Sequence, residues 1–181
     1  DETAVVLDTD ASAVAGTPPD SSFDMQVRAA GSILAAHARR GRRAVLVVNS
    51  LTRETQQVRA HDADWRRVLE LLAAAEPTGM MPASALLAED ASPAARALDL
   101  TVVTAQLSSG LVDRLAHRSL IRRGVSLVYV DAGSFAVPAR PAPEPALLRL
   151  QAAGVPVAVL RRGDDLGAKL SGGTLAGAAS G

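Results

Sequence analysis

The residues best suited to chemistry stand close together near the amino end. Asp8-Thr9-Asp10-Ala11-Ser12 sets two carboxylates and a hydroxyl at alternate positions directly after the apolar run Ala4–Leu7. A hard cation such as Mg²⁺ takes a few oxygen ligands and keeps several waters, so the segment suits part of a divalent site. The same pair suits phosphoryl transfer, with Asp8 as nucleophile and Asp10 as acid/base. A plainer use is equally open, since Asp and Ser side chains bond loop N–H groups and turn the chain. Short Asp-rich turns match many patterns by chance, and the segment alone does not choose among these uses.

Elsewhere the chemistry thins out. His37, His61 and His117 fall in different segments without an i, i+4 partner, and cysteine is absent, so histidine or thiolate metal sites are not expected. There is no G-x-S-x-G, no G-x-x-x-x-G-K-[ST] and no G-x-G-x-x-G after a strand, which excludes a nucleophile elbow, a P-loop and the usual dinucleotide site. Arg39-Arg40-Gly41-Arg42-Arg43 has the composition of a nucleic-acid or anionic-lipid patch. At the end of a helix it is better read as cations complementing the helix dipole. Met80-Met81, beside Thr78, suits an adaptable contact surface or packing under a loop.

These residues need elements to position them. Ala4–Leu7, Ala44–Val48, Leu100–Val103, Val125–Val130 and Val155–Leu160 are short and apolar on both faces, and they alternate with segments of helical spacing. That pattern belongs to a parallel sheet covered by helices on both sides. Ser21 and Asp24 have capping-box spacing ahead of a stripe of Phe23, Val27, Ala30 and Leu34, and Arg39-Arg40-Gly41 closes that helix. Asp62 or Asp64 opens a second helix, with Trp65, Val68, Leu69 and Leu72 inward, which Pro77 stops. A short helix follows it. Ser108 or Ser109 opens another, with Leu111, Leu115 and Leu120 inward and Gly124 at its end, and one more runs from Pro145 to Gln151. The polar alternation from Thr52 to Ala60 reads as an exposed edge strand, and Pro156, lacking an N–H, puts the last strand at the other edge. The expected fold is an open doubly wound α/β sheet, mostly parallel, spanning residues 1–171, with 172–181 (GGTLAGAASG) as a flexible Gly/Ala tail. In such sheets ligands meet the carboxyl ends of the strands, here Asp8, Asn49, Thr104 and Asp131.

Composition narrows the partners. Lys+Arg and Asp+Glu are both 19, which disfavours a protein held to nucleic acid through phosphates. Aromatic residues are 2%, too few for stacking platforms. No apolar run reaches about 18 residues, so the chain itself reads as a soluble domain. It begins at Asp1 without Met and is read as a fragment of a longer protein.

The Asp8–Ser12 segment resembles a variant of the D-x-S-x-S metal-ion-dependent adhesion motif that follows the first strand of von Willebrand factor A-like domains. FDMQVRAAGSILAAHARRGRRAVLVV and VPVAVLRRGDDLGAKL resemble a bacterial family, domain of unknown function number fifty-eight, whose C-terminal part is such a domain. The resemblance covers nearly the whole chain. It implies a metal set of Asp8, Ser12 and Thr78, with Asp10 standing where the motif has serine, for Mg²⁺ or another divalent cation. The aspartate expected after the fourth strand is missing, because Ala105 and Gln106 follow Thr104. It further implies a non-catalytic protein-binding module whose loops Asp8–Ser12, Thr78–Pro82 and Thr104–Ser109 present Thr78, Met80, Met81, Thr104 and Gln106. The implied partner is a MoxR-like AAA+ ATPase, in complex assembly at the envelope, with membrane contact through segments outside this chain. A second resemblance, to haloacid dehalogenase-like phosphatases, casts Asp8 as nucleophile with Asp10, Thr104 and Asp164-Asp165. It fits less well, since Lys169, the only lysine, follows the acidic pair and Arg161-Arg162 precede it.

Overall fold

Strands form where β-branched and leucine side chains find cover on both faces. The computed structural model describes residues 3–50, 52, 54–58 and 62–172. The parallel strands are β1 (Thr3–Asp8), β2 (Ala44–Asn49), β4 (Asp99–Thr104), β5 (Gly124–Val130) and β6 (Val157–Leu160). β3 (Thr55–Val58) runs antiparallel against β2. The sheet order is β3-β2-β1-β4-β5-β6, so the chain reverses its direction of winding between β1 and β4. Helices are α1 (Ser22–Arg39), α2 (Asp62–Ala74), α3 (Ala83–Ala88), α4 (Pro93–Arg96), α5 (Ser109–Leu120), α6 (Glu144–Ala152) and α7 (Leu166–Gly172). Val5, Leu7, Leu46 and Val48 face one core with α1, α2 and α7. Ala4, Val6, Val45 and Val47 alternate to the other core, with α3, α4, α5 and α6.

Local signals are realised where they are strong. Ser21 and Asp24 close a reciprocal capping box on α1, and Gly41 takes φ +65° after its end. Ser108 caps α5 by accepting from the Leu111 N–H. Both predicted edges are edges: β3 is largely exposed, and β6 is flanked by β5 alone.

Several expectations are corrected. Leu69 is 48% exposed, because α2 packs through Val68 and Leu72 with Trp65 and Leu71 beside them. Leu120 is 73% exposed; after Leu111 and Leu115 the next inward position is Arg118, whose buried guanidinium donates to the carbonyls of Ala95, Ala97, Leu98 and Gly124. Gly124 starts β5 and does not end α5, which stops at Leu120 with Arg122 at φ +58°. Pro156 precedes β6, where its carbonyl accepts from the Leu127 N–H. The strand predicted within Thr52–Ala60 is limited to Thr55–Val58, residues 53, 59 and 60 lying outside the described ones. α7 has no counterpart in the sequence reading. Its signal was the acidic pair, since Asp165 Oδ1 accepts from the Ala168 N–H as an N-cap does. Gly172 belongs to α7, and 173–181 of the expected tail lie outside the described residues.

Candidate functional site at the carboxyl edge

The reversal between β1 and β4 brings the ends of those strands and of β2 to one crevice. Register fixes the neighbours: Asp8 lies opposite Asn49, and Leu7 opposite Val103, one residue before Thr104. Asp8 is 3% exposed. Its Oδ2 accepts from the Thr104 hydroxyl at 2.7 Å, and its Oδ1 from the Asn49 amide at 3.3 Å and the Asp10 N–H at 3.3 Å. From α1, Gln26 donates to the Asp8 carbonyl at 2.8 Å. Desolvation pushes the Asp8 carboxyl above its ordinary range, and the three hydrogen bonds pull the other way.

Asp10 turns elsewhere. Its Oδ1 accepts from the Ser12 N–H at 2.9 Å and the Ser12 hydroxyl at 2.7 Å, capping the 3₁₀ turn Ala11–Ala13. The loop Thr78–Met81 is laced onto the same end. Gly79 N–H donates to the Thr9 carbonyl at 2.9 Å, Ala11 N–H to the Gly79 carbonyl, and Asn49 to the Met81 carbonyl at 2.6 Å. Gly79 has no spare room: a Cβ there would stand 2.8 Å from the Asn49 carbonyl oxygen. Thr78 and Gln106 are exposed, as are Met80 at 85% and Met81 at 40%. Thr104 is buried, its oxygen accepting from the Gln106 N–H at 2.9 Å.

The expected set is therefore gathered at one edge, but its two carboxylates serve different internal donors. A divalent ion needs several oxygens free to converge on it. Both oxygens of Asp8 already accept from protein donors, the Ser12 hydroxyl is turned to Asp10, and among the described residues no three acidic, histidine or cysteine groups come together. As found, this donor set does not fit a divalent cage. Nor does the acidic pair join Asp8. It follows β6, three strands from β1 and so roughly 14 Å across the sheet, and Asp164 accepts from the Arg161 N–H while Asp165 caps α7.

No protein-family model and no curated protein matches the chain. Solved structures do match. The conserved hypothetical protein BatB from Bacteroides thetaiotaomicron is 14% identical with a TM-score of 0.58, and 94% of each chain is covered. A von Willebrand factor type A structure from Catenulispora acidiphila, 11% identical with a TM-score of 0.53, aligns over 95% of this chain and 40% of its own. An aerotolerance-related membrane protein from Bacteroides fragilis carrying multiple mutations to serine is 13% identical with a TM-score of 0.53, covering 94% and 95%. The fold is that of a von Willebrand factor A-like domain. Ala105, the first residue after β4, is buried. Among the described residues no helix is long and apolar enough to cross a membrane.

One contributor was read only in part from the sequence, and another escaped it. Asn49 was visible as a polar residue ending a strand, though its bridge from Asp8 to the Met81 carbonyl depends on a loop 32 residues away. Gln26 gave no signal at all, since it lies among the core-facing residues of α1 and reaches across to the ends of two strands.

Proposed function

We propose that this domain is a non-catalytic protein-binding module that docks its partner on the carboxyl-edge loops, with a degenerate metal-ion-dependent adhesion site that works without a bridging cation. The observation that carries the reading is the state of Asp8: the carboxylate in the position of the motif's first ligand is buried and engaged by Thr104, Asn49 and Asp10. Around it Thr78, Met80, Met81 and Gln106 stand exposed on a backbone pinned from three sides. Flexible thioether side chains over a rigid base suit a hydrophobic contact that adapts to a protein surface. The resemblance to domain of unknown function fifty-eight supplies the finer proposal. The partner is a MoxR-like AAA+ ATPase, and the parent is a membrane-anchored bacterial protein acting in complex assembly at the envelope.

The test is a titration of the domain with the MoxR-like ATPase of the same genome, in EDTA and in Mg²⁺. Met80→Asp with Met81→Asp is expected to weaken binding by at least about tenfold, the effect of losing roughly 1.4 kcal/mol, and Thr78→Ala by less. EDTA is expected to change nothing. Binding insensitive to these loops but lost on substituting Arg39–Arg43 would move the interface to the opposite end. Mg²⁺-dependent hydrolysis of a generic phosphoester that vanishes in Asp8→Asn would replace the reading with a phosphatase.

A further inference from the structure

At the amino end of the sheet, opposite Asp8, the structure contains a cavity of about 430 Å³, inside the range of roughly 300–1,000 Å³ typical of small-molecule sites. It opens between the last turns of α1 and the helix α7, over the starts of β1, β4 and β5. Its apolar lining includes Ile33 and Ala36 from α1, Val125 from β5, and Leu166 and Leu170 from α7. Hydroxyls of Ser32, Ser171, Thr101 and Ser126 add polar points, the last two bonded to each other at 2.9 Å.

The charge around this cavity is unbalanced. Arg39, Arg40 and Arg42 line it, and among the described residues none of them makes an ion pair. They are not needed as backbone caps either. The carbonyls of Ala36, His37 and Ala38 at the end of α1 already accept from the N–H groups of Arg40, Gly41 and Arg42. His37 also lines the cavity, with its Nδ1 buried and unpartnered among the described residues. Burial, with Arg42 and Arg40 nearby, holds that imidazole below its ordinary range, and Asp99 only partly offsets this. The neutral imidazole is therefore favoured, and the fixed positive charge of the described lining is that of the arginines. Among the described residues Asp99 is the one acidic residue in the lining, and its carboxylate lies against Gly124. Among the described residues, three arginines and a single aspartate contribute to this partly apolar lining.

We propose that this cavity binds a small amphipathic anion, an aliphatic or aromatic body seated on Ile33, Val125, Leu166 and Leu170 with one carboxylate or phosphate held by Arg39, Arg40 and Arg42. Guanidiniums bind both head groups through paired N–H donors, and the apolar lining contributes only if the anion carries hydrocarbon. The inference does not depend on the carboxyl-edge reading, since the two surfaces occupy opposite ends of the sheet.

Calorimetric titration of the whole chain with octanoate, octyl phosphate, inorganic phosphate and 1-octanol tests it. At least one of the two octyl anions is expected to bind saturably at one site, and which of them is tighter tells carboxylate from phosphate. Inorganic phosphate and octanol are each expected to bind at least about tenfold more weakly. Replacing Arg39, Arg40 and Arg42 together by Ser is expected to cost at least about tenfold in affinity, and replacing them by Lys to cost less, since the charge is kept and the paired donors are lost. Ser32→Trp, a substitution on the exposed face of α1 that fills the cavity, is expected to abolish binding without lowering the melting temperature. The proposal is overturned if neither octyl anion binds saturably, if octanol or inorganic phosphate binds as tightly as the octyl anions, or if the Ser triple and Ser32→Trp both bind like the unaltered chain.

Discussion

The two ends of the sheet handle charge in opposite ways. At the carboxyl end Asp8 is buried and accepts from Thr104, Asn49 and Asp10, while Asp10 in turn holds Ser12. At the amino end Arg39, Arg40 and Arg42 line a cavity and, among the described residues, make no ion pair. The carboxyl end is rich in residues that do chemistry in other proteins and uses them to hold its own loops. The amino end has the sequence of a solvated helix terminus, and among the described residues its cations have no ion-pair partner. What separates them is where each charge finds its partner, inside the fold or outside it.

Asp8→Ala should test the contrast most severely. It strands the Thr104 hydroxyl, the Asn49 amide and the Asp10 N–H in a dry place, so a loss of about 3 kcal/mol is expected in urea denaturation. A loss below roughly 1 kcal/mol, ordinary for any substitution, would remove Asp8 from its structural role. The effect carries a pH signature. Burial raises the Asp8 carboxyl above 3.8, so the folded chain binds that proton more tightly than the unfolded one does. Its contribution to stability is then fully present below the unfolded value and is lost as pH rises through the folded one. The gap between the parent chain and Asp8→Ala should be wider near pH 4 than at pH 7; an equal gap at both would contradict the raised value.

Gly79→Ala comes next, at about 2 kcal/mol, because its Cβ meets the Asn49 carbonyl, which β2 cannot move. Thermal melting that matches the parent would show that the loop has slack. For the amino end, replacing Arg39, Arg40 and Arg42 together by Ser should shift stability by no more than about 0.5 kcal/mol, toward greater stability at low salt as like charges are removed. A clear destabilisation would mean that the arginines are tied into the fold after all. The smallest expected effect is that of Mg²⁺. An ion at a hundred times its dissociation constant would add about 2.7 kcal/mol, or roughly 5–10 °C for a domain of this size. No shift in melting temperature is expected here, and a shift that disappears in Asp8→Ala would restore the metal.

Legibility in the sequence followed the range of the interaction. The strands announced themselves through Ala4–Leu7, Ala44–Val48 and their counterparts, because burial on both faces demands unbroken apolar runs. Ser21 with Asp24, and Ser108, were readable as caps because partner and cap lie within one turn. The faces of α2 and α5 were misread at Leu69 and Leu120, since leucine is permitted both inside and outside and only the packed neighbour decides. The resemblance of the Asp8–Ser12 segment to an adhesion motif pointed to the observed fold. What those residues bond to was not legible, since Thr104 is 96 residues from Asp8 and Asn49 is 41. Asp164-Asp165 taught the converse, that an acidic pair which suits a catalytic list can be the start of a short helix.

Arg118 carries a consequence for how the molecule opens. One guanidinium gathers carbonyls from the exit of α4, the entry of β4 and the first residue of β5, and Arg123 adds a further donor to Ala95. A lysine offers three donors from a single nitrogen and cannot span that fan. Without the arginine, the segment from α3 to the start of β4 would stay attached chiefly through its own small helices. Hydrogen exchange in Arg118→Lys should then rise first in the backbone of residues 83–98, ahead of the central strands, marking this corner as the first part of the domain to come undone.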